Sequence, residues 1–335
     1  MIKNNHTPSV SIILATKNQF EVLRPVLNSL LEQDYPDFEV VVVDDCSEDM
    51  TPIALDKMSK EFPKLKFTRV FNETRFSNAL TLSVGIRAAT KDWLLFLTPE
   101  MKPVNKNYLR TLMSNVTDKT SLVQGGCNYI PQHSWGNYFL RLHLAKYTLD
   151  YYPYAKWFGL VPALPYNIAY KRKYFVESKG FREFLDEKFY INEWYAHSLT
   201  TKDKNVEVVL HSDAKVCLSD SYDLHDFVNQ REKYLLLKKK YGLGYKGLRL
   251  IYNWGGFLVL VATVLLCLSS QYSYWGVLVF ILLSLIHLIS MGIILRKLKE
   301  KNFLFFEYVS RLLWPLYSFH YSLKFWILRQ RKKWN

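Results

Sequence analysis

The sequence predicts an α/β protein with a mostly parallel sheet flanked by helices, followed by transmembrane helices at its C-terminal end. Two observations carry this prediction. Apolar strands alternate with amphipathic helices in the N-terminal part, and residues 250–295 contain no Asp, Glu, Lys or Arg. Alternating strands and helices form parallel sheets with right-handed crossovers. A long uncharged stretch is typical of membrane-spanning helices.

The N-terminal elements follow from hydrophobic periodicity. Short apolar runs indicate strands, and apolar residues spaced three to four positions apart indicate helices. The predicted strands are residues 9–16, 38–45, 65–71 and 93–98. The predicted helices are residues 20–33, 50–62 and 75–90. The fourth strand stops before Pro99, because proline has no N–H to donate to a neighbouring strand.

Acidic residues stand where two of these strands end. Asp44 and Asp45 close the second strand, and Glu100 follows the fourth. Ligands of open α/β sheets bind outside the carboxyl ends of the strands. The sequence therefore predicts a binding site at this edge. In the alternative interpretation, one of the two aspartates only caps the turn before Ser47.

The distribution of charge indicates a membrane rather than a nucleic acid. The net charge is +14, yet residues 1–230 contain 27 basic and 27 acidic residues. The excess lies in residues 231–249 and 296–335, which flank the uncharged stretch. A neutral N-terminal domain offers no basic face for phosphates, so no nucleic-acid partner is expected. Basic flanks are typical of a membrane anchor with cytoplasmic edges.

The uncharged stretch predicts two membrane spans. It is 46 residues long, and a single helix of that length would extend about 69 Å against a hydrocarbon core of about 30 Å. We place the spans near residues 250–269 and 274–295, with both basic flanks in the cytoplasm. The alternative is a buried helical hairpin in a soluble protein. The amphipathic tail, residues 303–335, lies in the interface or forms a third span.

The cysteines and the N-terminus indicate the compartment. The chain has four scattered cysteines, at positions 46, 127, 217 and 267, with no CxxC pair. Neither a disulfide framework nor a zinc site is expected, and a reducing compartment fits this pattern. The first residues are polar and lead directly into a strand, so no signal peptide is expected.

Several stretches resemble, in order and spacing, the family 2 glycosyltransferases. They are "VSIILATKNQ", "FEVVVVDDCSEDMT", "RFSNALTLSVGIRAATKDWLLFLTPEMKP" and "NIAYKRKYFVESKGF". Further on, "DFVNQREKY" resembles the QxxRW motif of the membrane-bound branch, the cellulose-synthase and ceramide-glucosyltransferase type. The resemblance implies a GT-A fold and transfer of a sugar from a nucleotide-sugar donor.

The resemblance also implies the donor-binding residues. They are Ala15, Thr16, Lys17, Asn18, Asp44, Asp45, Arg75, Thr98, Gln230, Lys233 and Tyr234. Lys233 stands where the motif has Arg, so a point charge replaces a planar fork. Tyr234 stands where the motif has Trp and can still stack. In the alternative interpretation, this segment only begins an amphipathic helix on the membrane surface.

Glu100 is the predicted metal ligand. The chain reads Thr98-Pro99-Glu100 where the family has an Asp-x-Asp motif, whose second carboxylate holds Mg²⁺ or Mn²⁺. These cations prefer oxygen ligands. Glutamate supplies an oxygen but is one methylene longer than aspartate, and Thr98 supplies only a neutral hydroxyl. The alternative is a relic, or a solvated acid at the end of a strand.

The resemblance places the catalytic base in "GFREFLDEKFYINEW". Glu187 matches the base position, and Asp186 precedes it. A general base must lie within hydrogen-bond distance of the proton that it removes. The alternative is an exposed helix start, where acids are favoured by the helix dipole.

Together these features predict a membrane-anchored glycosyltransferase that uses a UDP-sugar, and the family resemblance implies that it inverts the configuration of the sugar. The acceptor would be a lipid-linked or envelope glycan, and the multi-pass protein would sit in the cell inner (plasma) membrane with its catalytic domain in the cytoplasm. The predicted segments are a GT-A domain (1–230), a basic interface segment (231–249), a transmembrane hairpin (250–295) and a basic loop with a further helix (296–335). The rival is a non-catalytic binding or assembly subunit, because three motifs depart from the family at their charged positions.

Overall fold

The computed structural model describes residues 7–71, 78–142, 144–145, 152, 167–184, 191–202, 205–218, 243–269, 271–300, 303–313, 316 and 319–320. The chain divides into two compact units, Met1–Ser221 and Tyr222–Asn335. The predicted domain border after residue 230 lies outside the described residues.

The first unit is built from strands and helices that alternate along the chain. Its strands are β1 (Val10–Thr16), β2 (Phe38–Asp45), β3 (Leu65–Val70), β4 (Trp93–Leu97), β5 (Met101–Pro103), β6 (Leu122–Tyr129), β7 (Ile168–Lys171), β8 (Val206–Val209) and β9 (Lys215–Leu218). Its helices are α1 (Phe20–Leu31), α2 (Thr51–Glu61), α3 (Ala79–Ala88), α4 (Tyr108–Met113), α5 (Arg172–Glu177) and α6 (Ile191–Lys202). Residues 135–142 are also helical.

The four strands and three helices predicted for the N-terminal part are confirmed, with ends that differ by a few residues. The start of the third predicted helix lies partly at residues 72–77, outside the described part. Strand β2 illustrates how a continuous apolar run in the sequence predicts a buried strand. It is buried from Phe38 to Asp44, because its apolar run lies in the interior of a sheet with helices packed on it.

The sheet has the strand order β3-β2-β1-β4-β7-β6-β9-β5, with β8 paired to β6. The first four strands in this order are parallel. Their register places Thr16 beside Asp44 and Asp44 beside Arg69. The carboxyl ends of β1, β2 and β3 therefore meet at one edge of the sheet.

The rest of the sheet adds antiparallel pairs to the mostly parallel architecture expected from the sequence, while β6 pairs in parallel with β8 and β9. Strand β7 is antiparallel to both of its neighbours, β4 and β6, and β5 is antiparallel to β9. The sheet is therefore mixed. Strand direction is hard to predict here because antiparallel pairing needs no crossover helix, and a short apolar run such as β7 has the same pattern in either direction.

Asn167, directly before β7, links β6 to the turn before β9 through its side chain. It is fully buried and has a left-handed backbone, with φ of 53°. Its Nδ2 donates to the carbonyl oxygens of Gly126 and Ala214 at 2.8 and 2.9 Å. Tyr108 Oη donates to its Oδ1 at 2.6 Å. A Cβ on Gly125 would lie 2.3 Å from Asn167 Nδ2, so the close approach requires glycine there.

The described part of the second unit is helical. Its helices are α7 (Leu243–Cys267), α8 (Ser273–Lys297) and α9 (Leu304–Leu312). Among the described helices, α8 is long and apolar enough to cross a membrane, and the apolar part of α7, Trp254–Cys267, is shorter. Apolar side chains of α8 are largely exposed, among them Val279, Leu282, Leu285, Ile286, Ile289 and Ile293.

Polar contacts join α8 to α9. Glu307 is 1% exposed, and its Oε2 lies 2.9 Å from His287 Nε2. Tyr308 Oη donates to Ser284 Oγ at 2.5 Å. The helical spacing of polar residues in the amphipathic tail places Glu307 on its polar face. In the structure Glu307 is paired with His287 of α8, since a buried acid among apolar helices is stable only when it has a polar partner.

Candidate active site

The carboxyl edge of the parallel strands brings together the residues that sequence analysis singled out at three strand ends. Ala15 and Thr16 close β1, Asp44 and Asp45 close β2, and Thr98 follows β4. The register between β1 and its neighbours β2 and β4 places these ends side by side. Residues distant in the sequence therefore form one edge.

The loop after β1 is tied to the loop after β2. Asn18 has a left-handed backbone with φ of 53°, a conformation that asparagine tolerates better than most residues. Its N–H donates to Ser47 Oγ at 2.8 Å, and its Oδ1 accepts from the N–H of Glu48 at 2.8 Å. Lys17, beside it, is exposed. The two loops are thus held together by two hydrogen bonds.

The two aspartates that end β2 have different environments. Asp44 is fully buried, accepts the N–H of Ser47 at 3.3 Å, and pairs through Oδ2 with Arg69 Nε at 3.0 Å. Asp45 is half-buried. Asp44 therefore caps the turn, as one of the two interpretations had it, and Asp45 is the more accessible carboxylate for a ligand.

Arg69 completes the packing around Asp44. Its Nη2 donates to the carbonyl oxygen of Ser47 at 2.7 Å. A planar guanidinium can satisfy a carboxylate and a carbonyl together, so Arg69 fixes the turn from its far side. Arg69 belongs to none of the motifs that predicted the site. Its position near the end of β3 could have indicated it, because the parallel register of β2 and β3 places Arg69 beside Asp44.

Glu100 lies just beyond β4 and is half-buried. Gln19 Nε2 donates to its Oε1 at 3.2 Å, which links the start of α1 to the end of β4. Gln19 was also missed by the sequence analysis, although it directly follows the loop residues that were selected. A glutamine can orient the carboxylate without neutralising its charge.

Two buried hydroxyls at this edge have no hydrogen-bond partner within the described structure. They are Thr16 Oγ1 and Thr98 Oγ1. Leaving a buried hydroxyl unsatisfied costs about 1–3 kcal/mol, and such groups in native proteins call for an explanation. A polar ligand at the ends of β1 and β4 is one such explanation.

Several predicted site residues lie outside the described residues. They are Arg75, Asp186, Glu187, Gln230, Lys233 and Tyr234. Their roles stay predictions. The elements before and after the predicted base are described: a 3₁₀ turn at Gly180–Phe184 precedes it, and α6 begins at Ile191.

The sequence model described as "Glycosyl transferase family 2" matches residues 11–178, half of the chain. The chain therefore belongs to this family. Among curated relatives, the amylovoran biosynthesis glycosyltransferase AmsB of Erwinia amylovora is 35% identical over 89 residues, covering 27% of this chain and 30% of the relative. A GalNAc(5)-diNAcBac-PP-undecaprenol beta-1,3-glucosyltransferase of Campylobacter jejuni is 27% identical over 120 residues, covering 36% and 38%. The match thus spans well under half the length of these relatives.

Among solved structures, the fold is similar to the mannosyltransferase PcManGT from Pyrobaculum calidifontis in complex with GDP-Man and Mn²⁺. The TM-score is 0.53 at 16% identity, covering 93% of this chain and 88% of the other. This likeness supports a GT-A-like fold, with a mixed sheet flanked by helices.

Proposed function

We propose that the protein is a membrane-anchored, inverting glycosyltransferase of the membrane-bound branch, which takes its sugar from a UDP-sugar. The observation that carries the proposal is the carboxyl edge of the sheet. There Asp45 and Glu100 accompany two buried hydroxyls without partners, those of Thr16 and Thr98. This set offers hydrogen bonds to a nucleoside and a carboxylate for a diphosphate-bound cation.

Donor binding would involve the loops that follow β1 and β2. Asp45 would accept hydrogen bonds from the base or ribose, and the loop with Lys17 and Asn18 would border the nucleoside. Further residues predicted from the family motifs would bind the diphosphate and the nucleoside. These are Arg75, Gln230, Lys233 and Tyr234.

The edge also fits a divalent cation. Mg²⁺ is commonly held by one or two carboxylates together with substrate phosphates and water, rather than by a cage of protein ligands. Glu100 supplies one such carboxylate, and Gln19 orients it. A cation there would neutralise charge on the departing diphosphate.

Transfer would be a direct displacement at the anomeric carbon. Glu187, with Asp186 beside it, would remove the proton of the acceptor hydroxyl. That oxygen forms a bond to the anomeric carbon while the bond from this carbon to the phosphate oxygen breaks. The nucleoside diphosphate leaves from the opposite face, which inverts the configuration of the sugar.

The proposed acceptor is a lipid-linked or envelope glycan at the cytoplasmic face of the inner membrane. Support comes from the exposed apolar surface of α8 and from relatives whose names refer to amylovoran and to PP-undecaprenol. Helices α7 and α8 would be the two spans, with the basic segments around them in the cytoplasm.

A non-catalytic binding or assembly role is the second candidate. One observation favours it: within the described residues, no group of three or more His, Cys, Asp or Glu side chains could hold a metal. Glu100 is thus not part of a group of three such side chains among the described residues. A binding subunit would keep the nucleotide edge and lack transfer.

Transfer assays on membranes that contain the full chain test the proposal. Membranes are incubated with radiolabelled UDP-glucose, UDP-galactose or UDP-GlcNAc, and label is followed into lipid extracts and polymer. We expect transfer from one donor, and a loss of about 10³-fold in Glu187→Gln, within the range for general-base removal. The exposed neighbour Glu183 provides the control variant Glu183→Gln.

Equal transfer by Glu187→Gln and the wild type would contradict the assignment of the base. Absence of transfer from all donors, with UDP binding intact, would favour the binding subunit.

A further inference from the structure

Phe71 is an exposed aromatic residue directly after β3. Its side chain is 83% exposed, whereas its strand neighbour Val70 is 6% exposed and pairs in register with Asp45. The ring therefore stands at the same carboxyl edge as the candidate donor site, one residue beyond the last paired position.

A chain of contacts connects this ring to the loop after β1. The N–H of Asn18 donates to Ser47 Oγ at 2.8 Å, and the carbonyl oxygen of Ser47 accepts from Arg69 Nη2 at 2.7 Å. Arg69 Cζ lies 5.9 Å from the centroid of the Phe71 ring. Asp44 holds the same guanidinium from the buried side.

These contacts give the ring a defined setting. The guanidinium is fixed by the buried carboxylate of Asp44, and a cation within about 6 Å of a ring centroid attracts its π-face. The ring nevertheless keeps most of its surface in water. An exposed ring beside a guanidinium that is held in place can stack on another flat group.

A nucleobase is the flat group that this edge would meet. Every base has a π-face, and aromatic side chains bind bases by stacking with little dependence on sequence. The described residues that follow the other parallel strands, 17–19, 46–49 and 98–100, include no aromatic side chain. Phe71 is thus placed to provide that surface from β3.

We propose that Phe71 is the platform on which the base of the donor nucleotide stacks, with Arg69 as the residue that positions it. The proposal rests on the proposed function, since it requires a nucleotide at this edge. Under this proposal, the end of β3 contributes to donor recognition together with the ends of β1, β2 and β4.

Calorimetric titration of the detergent-solubilised full chain with UDP and with pyrophosphate, both with Mn²⁺, tests this role. Phe71→Ala should raise the Kd for UDP about tenfold, within the range found when stacked aromatics are replaced by alanine. Its Kd for pyrophosphate should stay unchanged, because pyrophosphate has no base. Phe71→Trp should restore UDP binding. Phe62, at the opposite end of β3 and 39% exposed, provides the control variant Phe62→Ala.

The outcomes separate this inference from the function on which it rests. Wild-type binding of UDP with an unchanged Kd in Phe71→Ala would overturn the stacking role and leave the nucleotide site in place. Equal weakening of UDP and pyrophosphate would also overturn it, since the effect would not lie in the base. A wild-type protein that does not bind UDP would overturn both proposals.

Discussion

Buried polar side chains at the two edges of the parallel strands differ in whether they have hydrogen-bond partners. At the amino edge, Glu39 accepts from Ser11 Oγ at 2.6 Å and from the N–H of Thr90 at 2.7 Å, and pairs with Lys66 at 2.7 Å. At the carboxyl edge, the buried hydroxyls of Thr16 and Thr98 have no partner in the described structure. Glu39 is thus satisfied by the chain itself, whereas these two hydroxyls are not.

The pKa of Glu39 reflects the hydrogen bonds that this carboxylate accepts. Burial alone would raise it, but hydrogen bonds from Lys66, Ser11 and Thr90 outweigh burial and lower the pKa to about 2. A carboxylate held in this way contributes to folding stability. We infer that the amino edge serves the stability of the sheet, whereas the carboxyl edge serves a ligand.

The largest expected effect on stability is that of Glu39→Gln. Losing a charge that is paired and hydrogen-bonded should lower the free energy of unfolding by about 3 kcal/mol, because the interactions that lower the pKa of Glu39 in the folded protein are lost. Pulse proteolysis of the full chain in urea measures this change. The exposed Glu61 provides the control Glu61→Gln, which should stay within about 0.5 kcal/mol of the wild type. Nucleotide binding by Glu39→Gln should be unchanged. Weaker binding would show that the amino edge also affects the nucleotide site.

The same carboxylate predicts a pH dependence. Because its pKa in the folded protein is below the unfolded value of 4.5, its stabilisation is complete above that pH. It should be lost as the pH falls from about 4.5 toward 2. The difference in unfolding free energy between wild type and Glu39→Gln should therefore shrink over this window. A difference that stays constant down to pH 2.5 would show that the charge of Glu39 is not the source.

Thr16→Val and Thr98→Val should give the smallest effect on stability. Each replaces a buried hydroxyl that lacks a partner with a methyl group of similar shape, so stability should stay the same or rise by up to about 1 kcal/mol. The Kd for UDP should rise about threefold to tenfold if the hydroxyls bind the ligand. Urea unfolding and calorimetry measure the two quantities. Loss of stability with unchanged binding would make these hydroxyls structural.

Much of the parallel part of the fold could be predicted, because apolar runs and helical periodicity mark buried strands and the helices that pack on them. The edge where the site lies followed from the strand ends. The different environments of Asp44 and Asp45 could not be predicted. They depend on the register with β3, which sets Arg69 beside Asp44.

The antiparallel strands also escaped prediction, since a run such as Ile168–Lys171 carries no signal of direction. The contact between Gln19 and Glu100 depends on how α1 and β4 meet in space. Sequence spacing sets neither of these features.

Titration of the full chain with UDP, with and without Mn²⁺, for wild type and Glu100→Gln tests the central claim most directly. Glutamine keeps an oxygen that can accept from Gln19, so the loop should be preserved while the charge is lost. The exposed Glu48 at the same edge provides the control Glu48→Gln. We predict that wild type and Glu48→Gln bind UDP more tightly with Mn²⁺, and that Glu100→Gln loses this dependence. Equal binding by all three proteins, with or without Mn²⁺, would contradict a metal-assisted donor site at Glu100.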